Sequence, residues 1–146
     1  MKISNRRAYH DYTILEEIEA GINLIGAEVK SVKSGRMSLE GSFVRIIGSE
    51  IYLVNAQIFP YPYARPEGYD PKRTRKLLLH KKQIIALKSK IEGSALTLIP
   101  LECYIKSGLI KLKIGLGRGK RQYEKREKIK RRDIDRDVQR ELKSKI

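Results

Sequence analysis

The segment Ile110-Lys111-Leu112-Lys113-Ile114-Gly115-Leu116, which follows a turn at Lys106-Ser107-Gly108, gives the clearest indication of the fold class. Its apolar residues alternate with lysine or glycine, and this period of two places them on one face of a strand. The lysines then line the opposite face. The segment therefore predicts a half-buried β-strand with a basic outer surface.

The residues before this strand are also β-like, because short aliphatic runs are separated by glycine, proline and serine. The run IYLVNAQIF, residues 51–59, predicts a core strand that ends at Pro60, which cannot donate a ladder hydrogen bond. The proline-rich residues 60–74 predict a loop. Further strands are predicted over residues 12–18, 21–33 and 42–47, although residues 28–34 could be partly helical.

One helix is predicted within this body, over residues 80–92. Ile84, Leu87 and Ile91 repeat at helical spacing, and Gly93 stands where a C-terminal cap belongs. Six or so short strands with one interposed helix are typical of a small closed barrel of the oligonucleotide-binding (OB) type. We therefore predict a mainly β fold of this type, with a small sandwich as the alternative.

The composition changes near the C-terminus. Residues 117–146 hold 13 basic and 6 acidic residues and one aromatic residue, too polar a mixture to form a core alone. Ile134, Val138, Leu142 and Ile146 nevertheless recur every four residues, a pattern typical of an amphipathic helix. We expect residues 1–118 to form the barrel and residues 119–146 to form a basic tail that is disordered alone or helical on binding.

The chain has 146 residues and a net charge of +15, from 32 basic and 17 acidic residues. Such an imbalance favours a polyanionic partner, and nucleic acid is the leading candidate. An anionic membrane also fits the charge, but no apolar run approaches the ~20 residues of a spanning helix. No signal-peptide segment follows residues 1–7. We expect a cytoplasmic, soluble and monomeric protein.

Basic clusters recur in four places, on predicted loops or element ends where phosphate oxygens could reach them. They are Arg6-Arg7, Lys72-Arg73-Thr74-Arg75-Lys76, Lys81-Lys82 and Arg118-Gly119-Lys120-Arg121. A single basic run is usually a solvated surface, but four of them favour phosphate binding. Tyr61, Tyr63 and Tyr69 in the predicted loop could stack on unpaired bases.

The sequence offers little for catalysis, metal binding or a cofactor. Cys103 is the only cysteine and lies in an apolar run, so it is expected to be a buried hydrophobe. The two histidines lack the spacing of an acid–base site. Residues 115–120, GLGRGK, do not have the spacing of a phosphate-binding loop. Their glycines instead allow close backbone approach or form a hinge to the tail. We predict neither an enzyme nor a cofactor.

Several strings closely resemble the small protein B family, also called the SsrA-binding protein family, and they occur in uninterrupted order between residues 5 and 133. They are residues 5–12 (NRRAYHDY), 19–22 (EAGI), 26–31 (GAEVKS), 70–79 (DPKRTRKLLL) and 113–126. The resemblance implies an OB-type protein that binds the tRNA-like domain of transfer-messenger RNA. It also implies delivery of that RNA to stalled ribosomes, the process of trans-translation.

The resemblance also implies site residues. Asn5, Glu19 and Leu78 match positions that contact RNA, and we add the neighbouring cations Arg6, Arg7, Lys72, Arg73, Arg75 and Lys76. The tail positions implied to act on the ribosome, at the decoding region of the small subunit and in the message channel, are Arg118, Gly119, Lys120, Arg121, Glu124, Lys125 and Arg126.

Glu19 and Leu78 are unusual ligands for RNA. A carboxylate repels phosphate, but it can accept hydrogen bonds from a base amino group or a ribose hydroxyl. Local ion pairing is the alternative role for Glu19, and burial in the core is the alternative for Leu78. Two other functions compete with the adaptor: a general single-strand-binding or ribosomal protein, and an enzyme acting on RNA.

Overall fold

The computed structural model describes residues 1–62, 67–120 and 124–144, and in the last range it describes side chains only for residues 133–143. The strands are β1 (Lys2–Ser4), β2 (Tyr12–Ile22), β3 (Met37–Ser38), β4 (Phe43–Ile47), β5 (Glu50–Val54), β6 (Gln57–Ile58), β7 (Arg75–Leu78), β8 (Leu96–Lys106) and β9 (Leu109–Gly119). The helices are α1 (Arg6–Asp11), α2 (Gly26–Lys33), α3 (Lys81–Ile91) and α4 (Glu124–Ser144).

Seven strands form one antiparallel sheet in the order β1-β8-β9-β2-β7-β5-β4, while β3 pairs with β6. The mainly β prediction is confirmed. The closed barrel is a wrong prediction, because the sheet is open, with β1 and β4 as its end strands. The physical reason is that β1 pairs with Glu102–Tyr104 of β8, and β4 lies near β8 without a hydrogen-bonded ladder among the described residues.

The core lies on the inner face of this sheet. Ile110, Leu112 and Ile114 of β9 are buried, as the period of two predicts. The predicted helix is confirmed as α3, whose Ile84 and Leu87 join the same core and cover the sheet. Burial of these alternating and helical apolar faces is the main favourable contribution to the stability of the body.

Two predicted strands are corrected by local hydrogen bonding. The run 51–59 divides into β5 and β6, because Asn55 has a φ of 65° and its side chain donates to the Gly41 carbonyl. The strand predicted over residues 21–33 ends at Ile22, and α2 follows, which agrees with the partly helical alternative given for residues 28–34. Glu28 starts this helix by accepting a hydrogen bond from the Ile25 backbone N–H at 3.0 Å.

The C-terminal segment forms helix α4, which contacts strand β4. Val138 on this helix is only 2% exposed. Strand β9 continues through Gly119, and the Lys120 N–H donates to the Asp11 carbonyl at 3.0 Å. Strand β9 therefore extends one residue beyond the predicted domain boundary at residue 118, and the backbone hydrogen bond from Lys120 to Asp11 follows it.

Candidate nucleic-acid interface

The sheet places a set of chemically mixed side chains on the outward face of β7, β2, β9 and β8. The register pairs Gly21 of β2 with Leu78 on one side and with Lys111 on the other. Lys111 in turn pairs with Tyr104 of β8. We call the following residues the outer face: Leu78, Gly21, Glu19, Lys111, Lys113, Tyr104 and Lys106.

Glu19 is held in place by two partners on β8. The Tyr104 hydroxyl donates a short hydrogen bond to Glu19 Oε2, and Lys106 Nζ lies 3.5 Å from the same oxygen. The Tyr104 hydrogen bond, assisted by Lys106, lowers the pKa of Glu19 although partial burial opposes the shift. Burial and the Glu19 carboxylate raise the pKa of Tyr104 to about 12. Near neutral pH, Glu19 is an ionised acceptor and Tyr104 keeps its proton.

Leu78 has 53% of its surface exposed, on a strand whose neighbouring residue Leu77 is buried. It lies over Gly21, where an added Cβ would be 3.2 Å from the Leu78 Cβ. Leu78 and Leu109, which is 60% exposed, line a groove of about 260 Å³ beside Lys111. Exposed apolar groups next to a lysine can receive the face of a base or ribose while the cation contacts phosphate.

Lys113 connects the outer face to a group of carboxylates. Its Nζ lies 3.6 Å from Glu102 and 3.7 Å from Glu17, and 6.0 Å from the centre of the Tyr104 ring. The Glu102 carboxylate, more than any other group, raises the pKa of Lys113. The outer face therefore combines cations, an ionised carboxylate, a tyrosine and an exposed leucine side chain.

Comparison with known proteins identifies the family. The model of the SmpB protein family matches residues 2–144 of this chain. The chain belongs to the SmpB family. The family resemblance predicted from the sequence strings is thus confirmed.

SmpB-family relatives match over nearly the whole chain. The SsrA-binding protein of Enterococcus faecalis is 49% identical over 140 residues, which cover 96% of this chain and 91% of that protein. That of Elusimicrobium minutum is 48% identical over 143 residues, 98% of this chain and 91% of that protein. A solved structure described as "tmRNA-SmpB: a journey to the center of the bacterial ribosome" aligns with a TM-score of 0.69 at 45% identity, covering 96% of this chain and 95% of that one.

Of the residues that the SmpB resemblance assigns to RNA contact, the structure brings Glu19 and Leu78 together on the outer face. Asn5 lies elsewhere and is 7% exposed. Its side-chain amide donates to the Pro100 carbonyl at 2.9 Å, and its backbone N–H donates to the Leu101 carbonyl at 2.8 Å. These two hydrogen bonds satisfy backbone carbonyls of β8 at its bulge between Pro100 and Glu102. Asn5 therefore has an internal structural role.

Arg75 is the clearest correction among the predicted cations, because its side chain is fully buried. Its guanidinium donates to Glu28 Oε2 at 2.6 and 3.0 Å and to the Ala56 carbonyl at 2.7 Å. Arg73 binds the other oxygen of Glu28 at 2.5 Å. A basic residue in a sequence run is not a phosphate ligand when a buried carboxylate already binds it. Arg75 is therefore unavailable to RNA, and Arg73 is only partly exposed.

The other predicted cations remain at the surface. Arg6 and Arg7 are exposed on α1, and Arg7 lies 3.4 Å from Asp11. Lys72 and Lys76 are exposed around Arg75, and Lys76 pairs with Glu50 at 3.1 Å. Exposed ion pairs are weak and exchange readily, so these side chains can still bind phosphate.

In the predicted tail site, Arg118 and Lys120 are exposed at the end of β9, with Gly119 between them. Arg121 lies outside the described residues. Glu124, Lys125 and Arg126 begin helix α4, but their side chains also lie outside the described part of the chain.

Sequence reasoning missed Tyr104 and Lys106 as candidate RNA-binding residues. The sequence does contain a signal for them. Tyr104 follows the buried Cys103, and Lys106 stands two residues further on, so both face away from the core on the same side of the strand. The sequence instead pointed to the loop residues Tyr61, Tyr63 and Tyr69. Tyr63 lies outside the described residues. Tyr69 is a correction, because its half-buried hydroxyl lies within hydrogen-bond distance of two internal acceptors, the Ile58 carbonyl at 2.9 Å and Glu28 at 3.1 Å.

Cys103 is buried, and burial raises the pKa of its thiol to about 12, as expected for a small hydrophobe. None of the helices in the described part of the chain is long and apolar enough to cross a membrane.

Proposed function

We propose that this SmpB-family chain binds transfer-messenger RNA through its outer face and acts with that RNA on the ribosome in trans-translation. The relatives carry the name SsrA-binding protein, and the matching solved structure places tmRNA-SmpB in the bacterial ribosome. The cytoplasm, where ribosomes work, is the compartment that follows from this proposal.

The observation that supports the RNA contact most directly is the position of Glu19 beside Tyr104, Lys106 and Lys111. An ionised acceptor surrounded by cations selects donors that are attached to a polyanion, such as ribose hydroxyls and base amino groups. The lysines supply the sequence-independent phosphate attraction, whereas Glu19 rejects a phosphate at its own position. The arrangement therefore favours a particular RNA shape over any single strand.

We assign phosphate contacts to Arg6, Arg7, Lys72 and Lys76, which are exposed. The tail residues 118–126 are assigned to the ribosome. In this division the body binds transfer-messenger RNA, and the tail binds the small-subunit decoding region and the message channel. The protein acts as a monomeric adaptor. No chemical step is required of it, since an adaptor acts by binding and positioning.

The test is binding of the full chain to the tRNA-like domain of transfer-messenger RNA and to an unrelated hairpin of equal length. We expect preference for the tRNA-like domain at physiological salt, with affinity for both RNAs falling steeply as salt rises. Equal affinities would favour a general RNA-binding protein instead. Cleavage of either RNA would identify the chain as an enzyme and overturn the adaptor function.

A further inference from the structure

The two donors that bind Glu19 occupy only one of its carboxylate oxygens. The Tyr104 hydroxyl and Lys106 Nζ both contact Oε2. Among the described residues, none places a donor within hydrogen-bond distance of Oε1. The Glu19 side chain is 34% exposed, and an ionised carboxylate oxygen accepts about two hydrogen bonds. Oε1 is therefore an open acceptor on the outer face.

Tyr104 reaches Glu19 across an intervening strand. Glu19 lies on β2 and Tyr104 on β8, and β9 runs between them. Neighbouring strands are about 4.8 Å apart, so the two side chains together span roughly 10 Å of the sheet surface. Lys113 of β9 lies with its Nζ 6.0 Å from the centre of the Tyr104 ring. Tyr104 therefore contacts groups on both β9 and β2, which restricts where its hydroxyl lies.

Tyr104 and Lys106 differ in how firmly they can orient Glu19. A tyrosine has only two rotatable side-chain bonds before its rigid ring, and its hydroxyl donates here to an ionised oxygen, which makes a strong hydrogen bond. Lys106 has a flexible stem, is 64% exposed and lies 3.5 Å from the same oxygen, so its contact is weak. Tyr104 therefore determines which way Oε1 points.

We propose that Tyr104 is a positioning residue for RNA recognition, which holds Oε2 of Glu19 so that Oε1 accepts a hydrogen bond from a neutral donor of the tRNA-like domain. The role of Oε1 rests on the proposed function. Ribose 2′-hydroxyls and the exocyclic amino groups of bases are neutral donors of this kind. An oriented Oε1 loses less freedom on binding than a rotating carboxylate, so the Tyr104 hydrogen bond strengthens the RNA contact.

The hold on Glu19 is tested without RNA, by NMR titration of its side-chain carboxyl carbon in the full-length protein. The charged and titratable groups that face this carboxylate are Tyr104, Lys106 and Lys111, and the Tyr104 hydrogen bond lowers its pKa most. Tyr104→Phe should therefore raise the titration midpoint of Glu19 toward the ordinary pKa of 4.5. An unchanged midpoint would overturn the positioning role.

Tyr9 offers a matched control, because it makes the same kind of contact with another carboxylate. Its hydroxyl lies 3.5 Å from Glu102. Tyr9→Phe removes one hydroxyl, as Tyr104→Phe does, but leaves the partners of Glu19 in place. The Glu19 midpoint should keep its wild-type value in Tyr9→Phe. An equal rise in both variants would show that the Tyr104 hydrogen bond is not the cause, and the positioning role would fail.

Affinity for the tRNA-like domain tests the consequence for RNA. Tyr104→Phe should weaken this binding about three- to tenfold, and should change binding to an unrelated hairpin less than about twofold. In a Glu19→Ala background, Tyr104→Phe should cause no further loss, because Tyr104 acts through Glu19. A further loss of the same size would identify Tyr104 as a direct RNA ligand or a purely structural residue, and would contradict the proposal.

Substitutions in the RNA distinguish the two kinds of donor. A 2′-deoxy nucleotide lacks the ribose donor, and a base analogue without its exocyclic amino group lacks the base donor. One substitution should weaken binding to the wild-type protein but not to Glu19→Ala, and its kind identifies the donor. If no substitution behaves in this way, the contact of Oε1 with RNA is overturned. If the wild-type protein does not prefer the tRNA-like domain to the hairpin, the proposed function and this contact both fail, while the NMR titration still judges the hold on Glu19.

Discussion

Glu28 is the residue that joins three separate parts of the body. It starts α2, and its fully buried carboxylate binds Arg75 of β7 and Arg73 of the preceding loop. Burial alone would raise the pKa of Glu28, but hydrogen bonds from Arg73, the Ile25 backbone N–H and Arg75 hold it below 4.5. This network fixes the start of β7, and thus the strand position from which Leu78 faces outward.

Glu28→Gln should destabilise the protein by about 3 to 5 kcal/mol, because it leaves the Arg75 charge buried without its partner. Glu50→Gln is the matched control, since the Glu50–Lys76 pair is exposed and worth less than about 1 kcal/mol. The measurement is the free energy of unfolding in urea. Similar losses in the two variants would contradict a structural role for the buried network.

The lowered pKa of Glu28 also predicts a pH dependence. Its ionised form is favoured in the folded protein, so this stabilisation is complete above the ordinary pKa of 4.5 and is lost as pH falls through the lower folded value. When pH is lowered from neutral to about 3, the free energy of unfolding should therefore fall less for Glu28→Gln than for the wild-type protein. Parallel pH profiles would show that Glu28 is not the titrating group.

Leu78→Ala tests whether this exposed side chain contacts RNA. Truncating a half-exposed leucine in a binding surface should cost about 1 to 1.5 kcal/mol, a roughly five- to tenfold loss of affinity for the tRNA-like domain. Ile85→Ala on α3 is the control, because Ile85 is 60% exposed and lies away from the outer face. Stability should change little in both variants. Unchanged affinity of Leu78→Ala would remove Leu78 from the interface.

Strand β9 depends on glycines where it crosses β2. A Cβ added at Gly117 would be 2.6 Å from the Thr13 carbonyl oxygen, and one added at Gly115 would be 2.9 Å from Leu101. The sequence left two interpretations of these glycines open, close backbone approach or a hinge to the tail. The structure supports close approach, since both residues are buried within the ladder of β9.

Gly117→Ala should cost about 1 to 3 kcal/mol of stability, because the β2 backbone must move to relieve the contact. Gly26→Ala is the control, since an added Cβ there meets nothing within 4 Å. Denaturant unfolding of both variants measures the difference. A stability of Gly117→Ala equal to that of Gly26→Ala would mean that β2 and β9 can separate without cost.

The body and the tail of the whole molecule can be separated after Lys120, whose backbone N–H still donates to the Asp11 carbonyl of the body. A protein ending at this residue should bind the tRNA-like domain with near-normal affinity, because it keeps the outer face intact. It should fail to support tagging of nascent chains on stalled ribosomes. Its unfolding free energy should fall modestly, since removal of α4 exposes the surface around Arg45.

These three readouts separate the possible errors. Tagging by the shortened protein would contradict the role of the tail on the ribosome. Loss of binding to the tRNA-like domain would show that tail and body share one RNA site, and would contradict the division at this position.

The amino-acid sequence was sufficient for features that depend on neighbours along the chain. The alternation of apolar residues around Leu112 predicted β9, and the spacing of Ile84, Leu87 and Ile91 predicted α3. Both predictions were possible because the period at which apolar residues recur shows which face of a strand or helix is buried. The excess of basic residues predicted a polyanionic partner. The family strings supplied Glu19 and Leu78, which composition and periodicity could not have selected.

The remaining features depend on which distant residues meet. Arg75 and Lys76 are adjacent in a basic run, but only the fold places one against buried Glu28 and leaves the other in solvent. The sheet stays open because β8 pairs with β1 and not with β4, a competition between strands far apart in sequence. The same applies to Val138, whose helical spacing predicts an apolar face but not the surface that buries it. Local patterns fix which face is apolar, whereas partners are chosen by three-dimensional packing.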